Sequence, residues 1–354
     1  AHTISCPFCF SPAKRNGYHR SGTRRYRCLT CCRSFVRSRK DPLTLTEFLT
    51  FHRYITGGAN RQFISEHLHR SSRTVADRFT RLLDHPISAG NIWDLFPPKT
   101  LMTPTPWVYG ADGKWLGRLG VFFVHRNVTT KENLFWSFMP SESYEALSRD
   151  GKILADLLGA NRPSGAISDW KGAIVQAISS HFGPIPHQRC LAHVDRAAKR
   201  LLPRHSPFAA TQALRRIASL LMLVETSSDP HVWQASLARW EKQYGYMLKE
   251  KTHATAGMTR HWWYTHGNLR RAWRLLTHDH DPLFVFLINR LIPKTNNALE
   301  GVNSNLKQKL GDHRGMKVTR QAAFLSWYMT FTRVKTPKDL KKLWGWWITE
   351  ISRN

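Results

Sequence analysis

Residues 107–139, WVYGADGKWLGRLGVFFVHRNVTTKENLFWSFM, decide the fold class of this chain. Gly117 and the polar segment 127–133 separate three short runs of apolar, aromatic and β-branched residues, at Trp107–Ala111, Leu119–His125 and Leu134–Met139. Runs of this length between turn residues are typical of strands. The stretch therefore predicts three consecutive antiparallel strands.

Helices alternate with short apolar runs after these strands. The periodicity predicts helix, strand, helix, strand and helix at Tyr144–Leu158, Gly165–Ser168, Lys171–His181, Ile185–Arg189 and Ala192–Leu202. The order βββαβαβα predicts an α/β fold with a mixed sheet. We expect a ribonuclease-H-like catalytic domain made of residues 106–203 and 293–330.

Three carboxylates occupy notable positions in this scheme. Asp112 and Asp169 each follow a predicted strand, and the element order puts these two strands side by side. Glu300 lies in KTNNALEGVNSNLK at 294–307, where Asn296 or Asn297 can cap a helix that presents Glu300 and Asn303 on one face. Carboxylates that converge in this way can bind a pair of Mg²⁺ ions for DNA or RNA strand chemistry.

Cysteines are concentrated near the N-terminus. Cys6 and Cys9 form one C-x2-C pair, and eighteen residues later Cys28 and Cys31 form a second. Two such pairs are the ligand set of a tetrahedral zinc site, so residues 1–41 are predicted to be a zinc ribbon. Cys32 is interpreted as a non-ligand, although Cys31 and Cys32 can exchange roles; unpaired structural cysteines are the alternative.

The segment between the two cysteine pairs is strongly basic. Tyr18 and Tyr26 are interleaved with five predicted DNA-binding residues: Lys14, Arg15, Arg24, Arg25 and Arg27. This pattern predicts a hairpin that lies on a phosphate backbone, with a merely solvated basic loop as the alternative.

Residues 42–85 carry three short amphipathic patterns, for which Asn60 and Ser71 or Ser72 are candidate caps. They predict a helix-turn-helix DNA-binding domain whose third helix presents Arg73, Arg78 and Arg81 to the major groove; a plain helical bundle is the alternative. Prolines then punctuate 86–105, which is predicted to be a linker.

The distance from Asp169 to Glu300 exceeds what one strand, helix and loop require. Residues 204–292 have helical periodicity, so we predict an all-α insertion domain whose tryptophans, including Trp262 and Trp263, are mostly core. Residues 331–354 are predicted to form a helical tail.

The charge balance narrows the class of protein. Lys and Arg total 53 against 24 Asp and Glu, a net charge of +29, which excludes a neutral metabolic enzyme as the default and predicts a polyanionic partner. The apolar runs are too short to span a membrane, and there is no secretory leader. Together with the cysteine pattern, this predicts a reducing cytoplasm.

The motifs in combination resemble a known family. Asp112, Asp169, Gln188-Arg-Cys190-Leu-Ala-His193 and Thr295-Asn-Asn-x-x-Glu300 resemble the DDE transposases of bacterial insertion sequences, specifically the Mutator-like group with its C-x2-H signature. The resemblance implies Mg²⁺ or Mn²⁺ held by Asp112, Asp169 and Glu300. Asn296, Cys190 and His193 are expected in supporting roles, structural or substrate-positioning for the latter two, with a pair packed at the start of a helix as the alternative. The resemblance also implies cleavage at terminal inverted repeats, joining of the 3'-hydroxyl to target DNA, a homodimer on DNA, and a place at the bacterial nucleoid.

Two other interpretations compete with this one. A non-catalytic, sequence-specific DNA-binding regulator derived from a transposase has the same architecture but no need for Asp112, Asp169 and Glu300 together. A structure-selective nuclease of the ribonuclease H type shares the chemistry but explains neither the ribbon nor the helix-turn-helix.

Overall fold

The structure, a computed structural model, describes residues 4–6, 9, 11–20, 22–36, 43–57, 59–102, 105–255, 261–313 and 316–353. The chain divides into two compact units, Ala1–Thr46 and Glu47–Asn354.

The first unit contains a small antiparallel sheet of four strands in the order β1-β2-β3-β4. Its strands are β1 (Ile4–Ser5), β2 (Pro12–Tyr18), β3 (Arg24–Cys28) and β4 (Ser34–Val36). Along β3, Tyr26 and Cys28 are buried whereas Arg25 and Arg27 are exposed, as the two-residue period of a strand requires. The predicted basic hairpin is therefore present as β2 and β3.

A five-stranded mixed sheet organises the second unit, in the order β7-β6-β5-β8-β9. Its strands are β5 (Val108–Trp115), β6 (Val121–Asn127), β7 (Glu132–Met139), β8 (Gly165–Ser168) and β9 (His187–Arg189). The first three strands pair antiparallel, whereas β8 is parallel to β5 and β9 is parallel to β8. The α/β class and the three consecutive antiparallel strands are thus confirmed.

The predicted alternation of helices and strands is also confirmed. The helices are α6 (Tyr144–Leu158), α7 (Gly172–Phe182) and α8 (Leu191–Leu201). Ser143 caps α6 by accepting a hydrogen bond from the Ala146 N–H at 3.3 Å. Helix α6 packs against α7, and its Ser148 hydroxyl lies 2.8 Å from the His181 Nε2.

Three helices precede the sheet, as predicted: α1 (Leu45–Thr56), α2 (Arg61–His67) and α3 (Ser72–Asp84). Both predicted caps are formed, because Asn60 accepts from the Phe63 N–H at 2.8 Å and Ser71 accepts from the Thr74 N–H at 3.1 Å. Helices α2 and α3 pack on each other, as a helix-turn-helix requires.

The linker prediction for 86–105 is wrong for its described residues. This stretch forms α4 (Ala89–Leu95) and α5 (Lys99–Met102), while Pro104 lies outside the described residues. Ile92 and Trp93 are buried, and the Trp93 indole donates to the Leu134 carbonyl at 2.6 Å. The prolines bound these short helices, and the apolar residues of α4 pack it onto β7.

The insertion contains three long helices, α9 (Ala209–Leu220), α10 (Asp229–Tyr244) and α11 (Gly267–Thr277). Its core includes Trp233 and Trp240. The prediction of an all-α insertion is nevertheless wrong, because β10 (Lys251–His253) and β11 (Trp262–Tyr264) form an antiparallel hairpin on which Trp262 and Trp263 are exposed. Adjacent aromatic residues favour a strand, and periodicity alone misplaced them in a helix.

The chain ends in helices α12 (Val285–Ile288), α13 (Asn297–Asp312), α14 (Val318–Arg333) and α15 (Pro337–Arg353). Helix α14 lies between the N-terminal helices and the sheet: the Trp327 indole donates to the Leu82 carbonyl at 2.7 Å, and the Trp136 indole donates to the Ser326 hydroxyl at 3.1 Å. The predicted helix-turn-helix therefore packs in the same unit as the sheet. None of the helices in the described part of the chain has the length and hydrophobicity needed to cross a bilayer.

Candidate active site

Asp112 and Asp169 lie on neighbouring parallel strands. The pairing of β5 with β8 matches Val108 with Gly165 and Gly110 with Ile167, and the same register continued by two residues sets Asp112 beside Asp169. Asp112 does not close its strand as expected, because β5 keeps pairing with β6 as far as Trp115 after β8 has ended.

The Asp112 carboxylate is held at both oxygens. Its Oδ1 accepts from the Gly113 N–H at 2.9 Å, and its Oδ2 accepts from the Asn303 side-chain amide at 2.8 Å. Burial, and next the negative charge of Asp169, raise the pKa of Asp112 to about 6. Two acids so close in a partly buried place favour a bound cation.

Asp169 sits in a strained turn between β8 and α7. Trp170 has a φ of +70°, a left-handed conformation that costs a residue with a side chain about 1 kcal/mol or more. The turn is held by Asp169, whose Oδ1 accepts from the Lys171 N–H at 3.2 Å and whose Oδ2 lies 3.2 Å from Lys171 Nζ. This backbone conformation fixes the position of the Asp169 carboxylate at the end of β8.

Glu142 is a fourth acid at the site that sequence reasoning missed. Its side chain is only 5% exposed and forms an ion pair with Lys171, which also pairs with Asp169. A Cβ at position 113 would collide with the Glu142 carboxylate and with the Val121 and Phe123 side chains of β6, so glycine is favoured there. Glu142 lies in the loop before α6, where no periodic pattern marks it. The glycine at position 113, directly after Asp112, is the sequence signal that another side chain packs closely against β5 here.

Helix α13 carries Glu300 to this edge of the sheet. Asn296, which precedes α13, is fully buried; its N–H donates to Cys190 Sγ at 3.2 Å and its side-chain amide to the Ala111 carbonyl at 3.5 Å. Its side chain does not cap the helix, contrary to expectation, because it is turned toward β5. Glu300 pairs with Arg196, and Asn303, one turn later, contacts Asp112 as described.

The C-x2-H pair lies beside Glu300. Cys190 is the N-cap residue of α8, and its sulfur, a His193 ring nitrogen and a Glu300 carboxylate oxygen all lie within 4.8 Å of one another. Burial, with the nearby charge of Arg196, lowers the pKa of His193, whereas Asp169 and Glu300 act in the opposite direction. His193 therefore lies beside Glu300 and is influenced by the charge of Asp169.

The environment of Asp112 makes a testable prediction about stability. The pKa of Asp112 is about 6 in the folded protein against an ordinary value of 3.8, so the fold favours the protonated carboxyl and disfavours the ionised one. The stability contributed by protonated Asp112 is complete below pH 4 and is lost as the pH rises through about 6. Without added Mg²⁺, Asp112→Asn should raise the free energy of unfolding at pH 8 by about 1–2 kcal/mol, after discounting for partial exposure. Urea unfolding should show a smaller gain at pH 5, and destabilisation at pH 8 would contradict this prediction.

In the first unit, the four predicted zinc ligands converge. The sulfurs of Cys6 and Cys31 are 3.6 Å apart, those of Cys9 and Cys28 are 3.4 Å apart, and all four lie within 4.8 Å of one another. The Ser11 backbone N–H is the main cause that lowers the pKa of Cys9 to about 6, whereas, against a hydrogen bond from the Arg33 backbone, burial and the neighbouring thiols raise the pKa of Cys31 to about 12. Four thiol sulfurs so arranged could hold zinc.

The structure distinguishes the two candidates for the fourth ligand. Cys31 belongs to the cluster, whereas Cys32 is exposed and has a φ of +56°. This left-handed conformation explains why small ribbons often have glycine at this position.

The basic residues of the ribbon lie on exposed strands. Lys14 stands directly opposite Arg27 on the outer face, where two like charges repel each other and favour an anionic partner. Arg15 and Arg25 are also exposed, and the Arg24 guanidinium lies 4.9 Å from the centre of the Tyr18 ring. Tyr26, in contrast, is buried and stacks on Phe35.

The three arginines of α3 differ in exposure. Arg73 is exposed, whereas Arg81 is half-buried and Arg78 pairs with Glu47 at 3.4 Å. The expectation that all three face outward is therefore wrong for Arg78, because α1 supplies an acid beside it.

Comparison with known proteins places this geometry in context. No curated protein matches the chain. The family model described as Transposase IS66 family matches residues 130–302, a segment that includes Asp169, Cys190, His193 and Glu300 and leaves Asp112 outside. The match does not single out the Mutator-like group that the motifs resemble. It supports an insertion-sequence transposase.

Proposed function

We propose that the chain is a DDE transposase that binds the terminal inverted repeats of its element, cleaves DNA strands with Mg²⁺ or Mn²⁺, and joins the freed 3'-hydroxyl to target DNA. One observation carries the proposal: Asp112 and Asp169 lie on paired parallel strands, and α13 brings Glu300 and Asn303 to the same edge of the sheet. The sheet order β7-β6-β5-β8-β9 supports a ribonuclease-H-like catalytic domain.

The acids fit a hard divalent cation. Asp112, Asp169 and Glu300 offer carboxylate oxygens, the ligands that Mg²⁺ prefers, and the raised pKa of Asp112 is relieved by added positive charge. When bound, a pair of such ions supplies an activated water or 3'-hydroxyl and stabilises the leaving oxygen.

The chain's own residues orient these acids. Asn303 and the Gly113 N–H each donate to one Asp112 oxygen, so the carboxylate cannot rotate freely. Lys171 and Arg196 hold Asp169 and Glu300 and remain beside them as cations that can bind DNA phosphate. Protons compete with the cation for the Asp112 carboxylate, so we expect Mg²⁺ to bind more weakly, and cleavage to slow, as the pH falls.

DNA binding is proposed to use the ribbon and α3. Lys14, Arg25 and Arg27 share the outer face of the β2–β3 hairpin, and Arg73 is exposed on α3. Transposition joins two DNA ends, and each end requires a catalytic domain, so we propose a homodimer on DNA. The C-x2-H pair beside Glu300 supports placement near the Mutator-like group.

Charge removal on the ribbon tests this surface. Because each phosphate contact releases counterions, Lys14→Gln and Arg27→Gln should each weaken DNA binding and reduce the slope of log K against log salt by about 1. Binding measured from low to moderate salt gives the slope. Lys152→Gln, on the exposed face of α6, removes the same charge as a matched control; equal effects from Lys14 and Lys152 would contradict a ribbon contact.

Strand cleavage tests the function itself. The full chain is incubated with a DNA fragment that carries the element's terminal repeat, with Mg²⁺ or with a chelator. We expect nicks at the repeat end and joined products only with Mg²⁺. Tight, repeat-specific binding without cleavage in Mg²⁺ or Mn²⁺ would overturn the enzyme proposal in favour of the DNA-binding regulator.

A further inference from the structure

The C-x2-H pair by itself offers only two ligands, too few for a metal site. Tertiary structure adds a third, because α13 places a Glu300 carboxylate oxygen within 4.8 Å of both the Cys190 sulfur and a His193 ring nitrogen. Ligand atoms around a tetrahedral zinc ion lie about 3.5 Å apart, given bond lengths of about 2.0–2.3 Å. The three groups therefore need only small movements to share one ion.

The surroundings of these groups suit a metal ion better than a closed hydrogen-bond network. Among the described residues, His193 Nδ1 is buried without a hydrogen-bond partner. Cys190 is fully buried, and its sulfur accepts the Asn296 N–H, a contact that a metal-bound thiolate retains. Glu300 pairs with Arg196, whose side chain is 49% exposed and can turn to solvent.

We infer that Cys190, His193 and Glu300 form a second metal site, selective for zinc-type ions and separate from the ribbon. Thiolate and imidazole ligands favour Zn²⁺ over Mg²⁺, and three protein ligands leave one position open for water. Mg²⁺, which takes oxygen ligands, is bound poorly by such a set.

Glu300 is shared between this site and the carboxylate site. A zinc ion on Cys190 and His193 holds Glu300 and removes it from Asp112 and Asp169, so zinc inhibits Mg²⁺-dependent cleavage. This inhibitory consequence rests on the proposed function, whereas zinc binding itself does not.

Metal content of the full chain tests the site without any activity assay. Zinc-saturated protein, freed of loosely bound metal, should contain two zinc ions per chain. Cys190→Ser and His193→Gln should each reduce this to one, because two remaining protein ligands are too few for a zinc site. Asp112→Asn, which removes a neighbouring acid outside the cluster, should leave two. One zinc in the unaltered chain, or two in both variants, would overturn the inference.

Cobalt provides the second measurement. In a Cys6→Ser/Cys28→Ser chain, whose ribbon has lost two of its thiols, bound Co²⁺ should still give a sulfur-to-cobalt charge-transfer band. Adding Cys190→Ser should abolish the band, and its persistence would contradict the site. Because Cys190 is buried, its replacement could unfold the chain, so circular dichroism is used to check the fold of the variant. If that variant is unfolded, His193→Gln replaces it, and a band of unchanged strength in His193→Gln would contradict the site.

Cleavage with and without zinc then separates the two proposals. The cleavage rate with zinc, divided by the rate without zinc, should be far below one in the unaltered chain and much closer to one in His193→Gln. Two zinc ions without any Mg²⁺-dependent cleavage would support the site and contradict the proposed function. Cleavage with only one zinc ion would do the reverse.

Discussion

Asp169→Asn is expected to reduce Mg²⁺-dependent strand cleavage by about 1,000-fold, because a lost metal ligand removes several kcal/mol of transition-state stabilisation. The effect should be large because Asp169 is beside Asp112 in the parallel register and nothing else on β8 replaces its carboxylate. Single-turnover cleavage of a terminal-repeat substrate measures it. Binding to the same DNA should change little, since Asp169 removes rather than supplies positive charge.

The matched control for this variant is Asp156→Asn. Asp156 is exposed on α6, so the substitution makes the same change of charge away from the site. Cleavage by Asp156→Asn should stay close to that of the unaltered chain. Equal rates for the Asp169 and Asp156 variants would exclude Asp169 from the catalytic site, whereas loss of folding in the Asp169 variant alone, seen by circular dichroism, would assign the residue a structural role.

The second large effect concerns the ribbon. The sheet of the first unit buries few side chains, among them Cys6, Tyr26 and Cys28, so we expect bound metal to supply most of its stability. Structural zinc binds with an apparent free energy of about 10–16 kcal/mol, part of which is folding free energy. Cys28→Ser should therefore unfold β1 to β4, and their amides should lose hydrogen-exchange protection by about 100-fold or more.

Cys32→Ser provides the control four residues away. Cys32 is exposed and outside the sulfur cluster, so this variant should keep both its zinc and its protected amides. In Cys28→Ser, the amides of β5 to β9 should remain protected, because these strands belong to the other unit. Unchanged protection of β2 and β3 in Cys28→Ser would show that the ribbon folds without its metal, and a matching loss in Cys32→Ser would reassign the fourth ligand.

Local sequence patterns predicted an element correctly where its periodicity and its cap lie within one segment. The run Tyr144–Leu158 is a helix with the predicted bounds, because its apolar period and the Ser143 cap lie within the segment itself. The pairing of β5 with β8 was likewise predicted, since a strand that follows a crossover helix usually pairs parallel with a strand already in the sheet.

Predictions were wrong where partners far apart in sequence decide the outcome. Prolines suggested a linker at 86–105, but Trp93 finds the Leu134 carbonyl on β7. Trp262 and Trp263 fit a helical period, yet β10 pairs with them as a strand. The pattern of α3 predicts an outward-facing Arg78, but its guanidinium forms an ion pair with Glu47 of α1. In each case a tertiary contact outweighs a weak local preference.

By itself, the sequence predicted the order of strands and helices around the mixed sheet, the two C-x2-C pairs and three of the acids, because spacing and periodicity are properties of a single segment. Only the tertiary structure decided that Glu142 joins Asp112 and Asp169, that Asn303 holds Asp112, and that Glu300 reaches Cys190 and His193. These residues come from strands, loops and helices up to 191 positions apart. Their proximity depends on how α13 and the loop before α6 pack against β5, which no local pattern encodes.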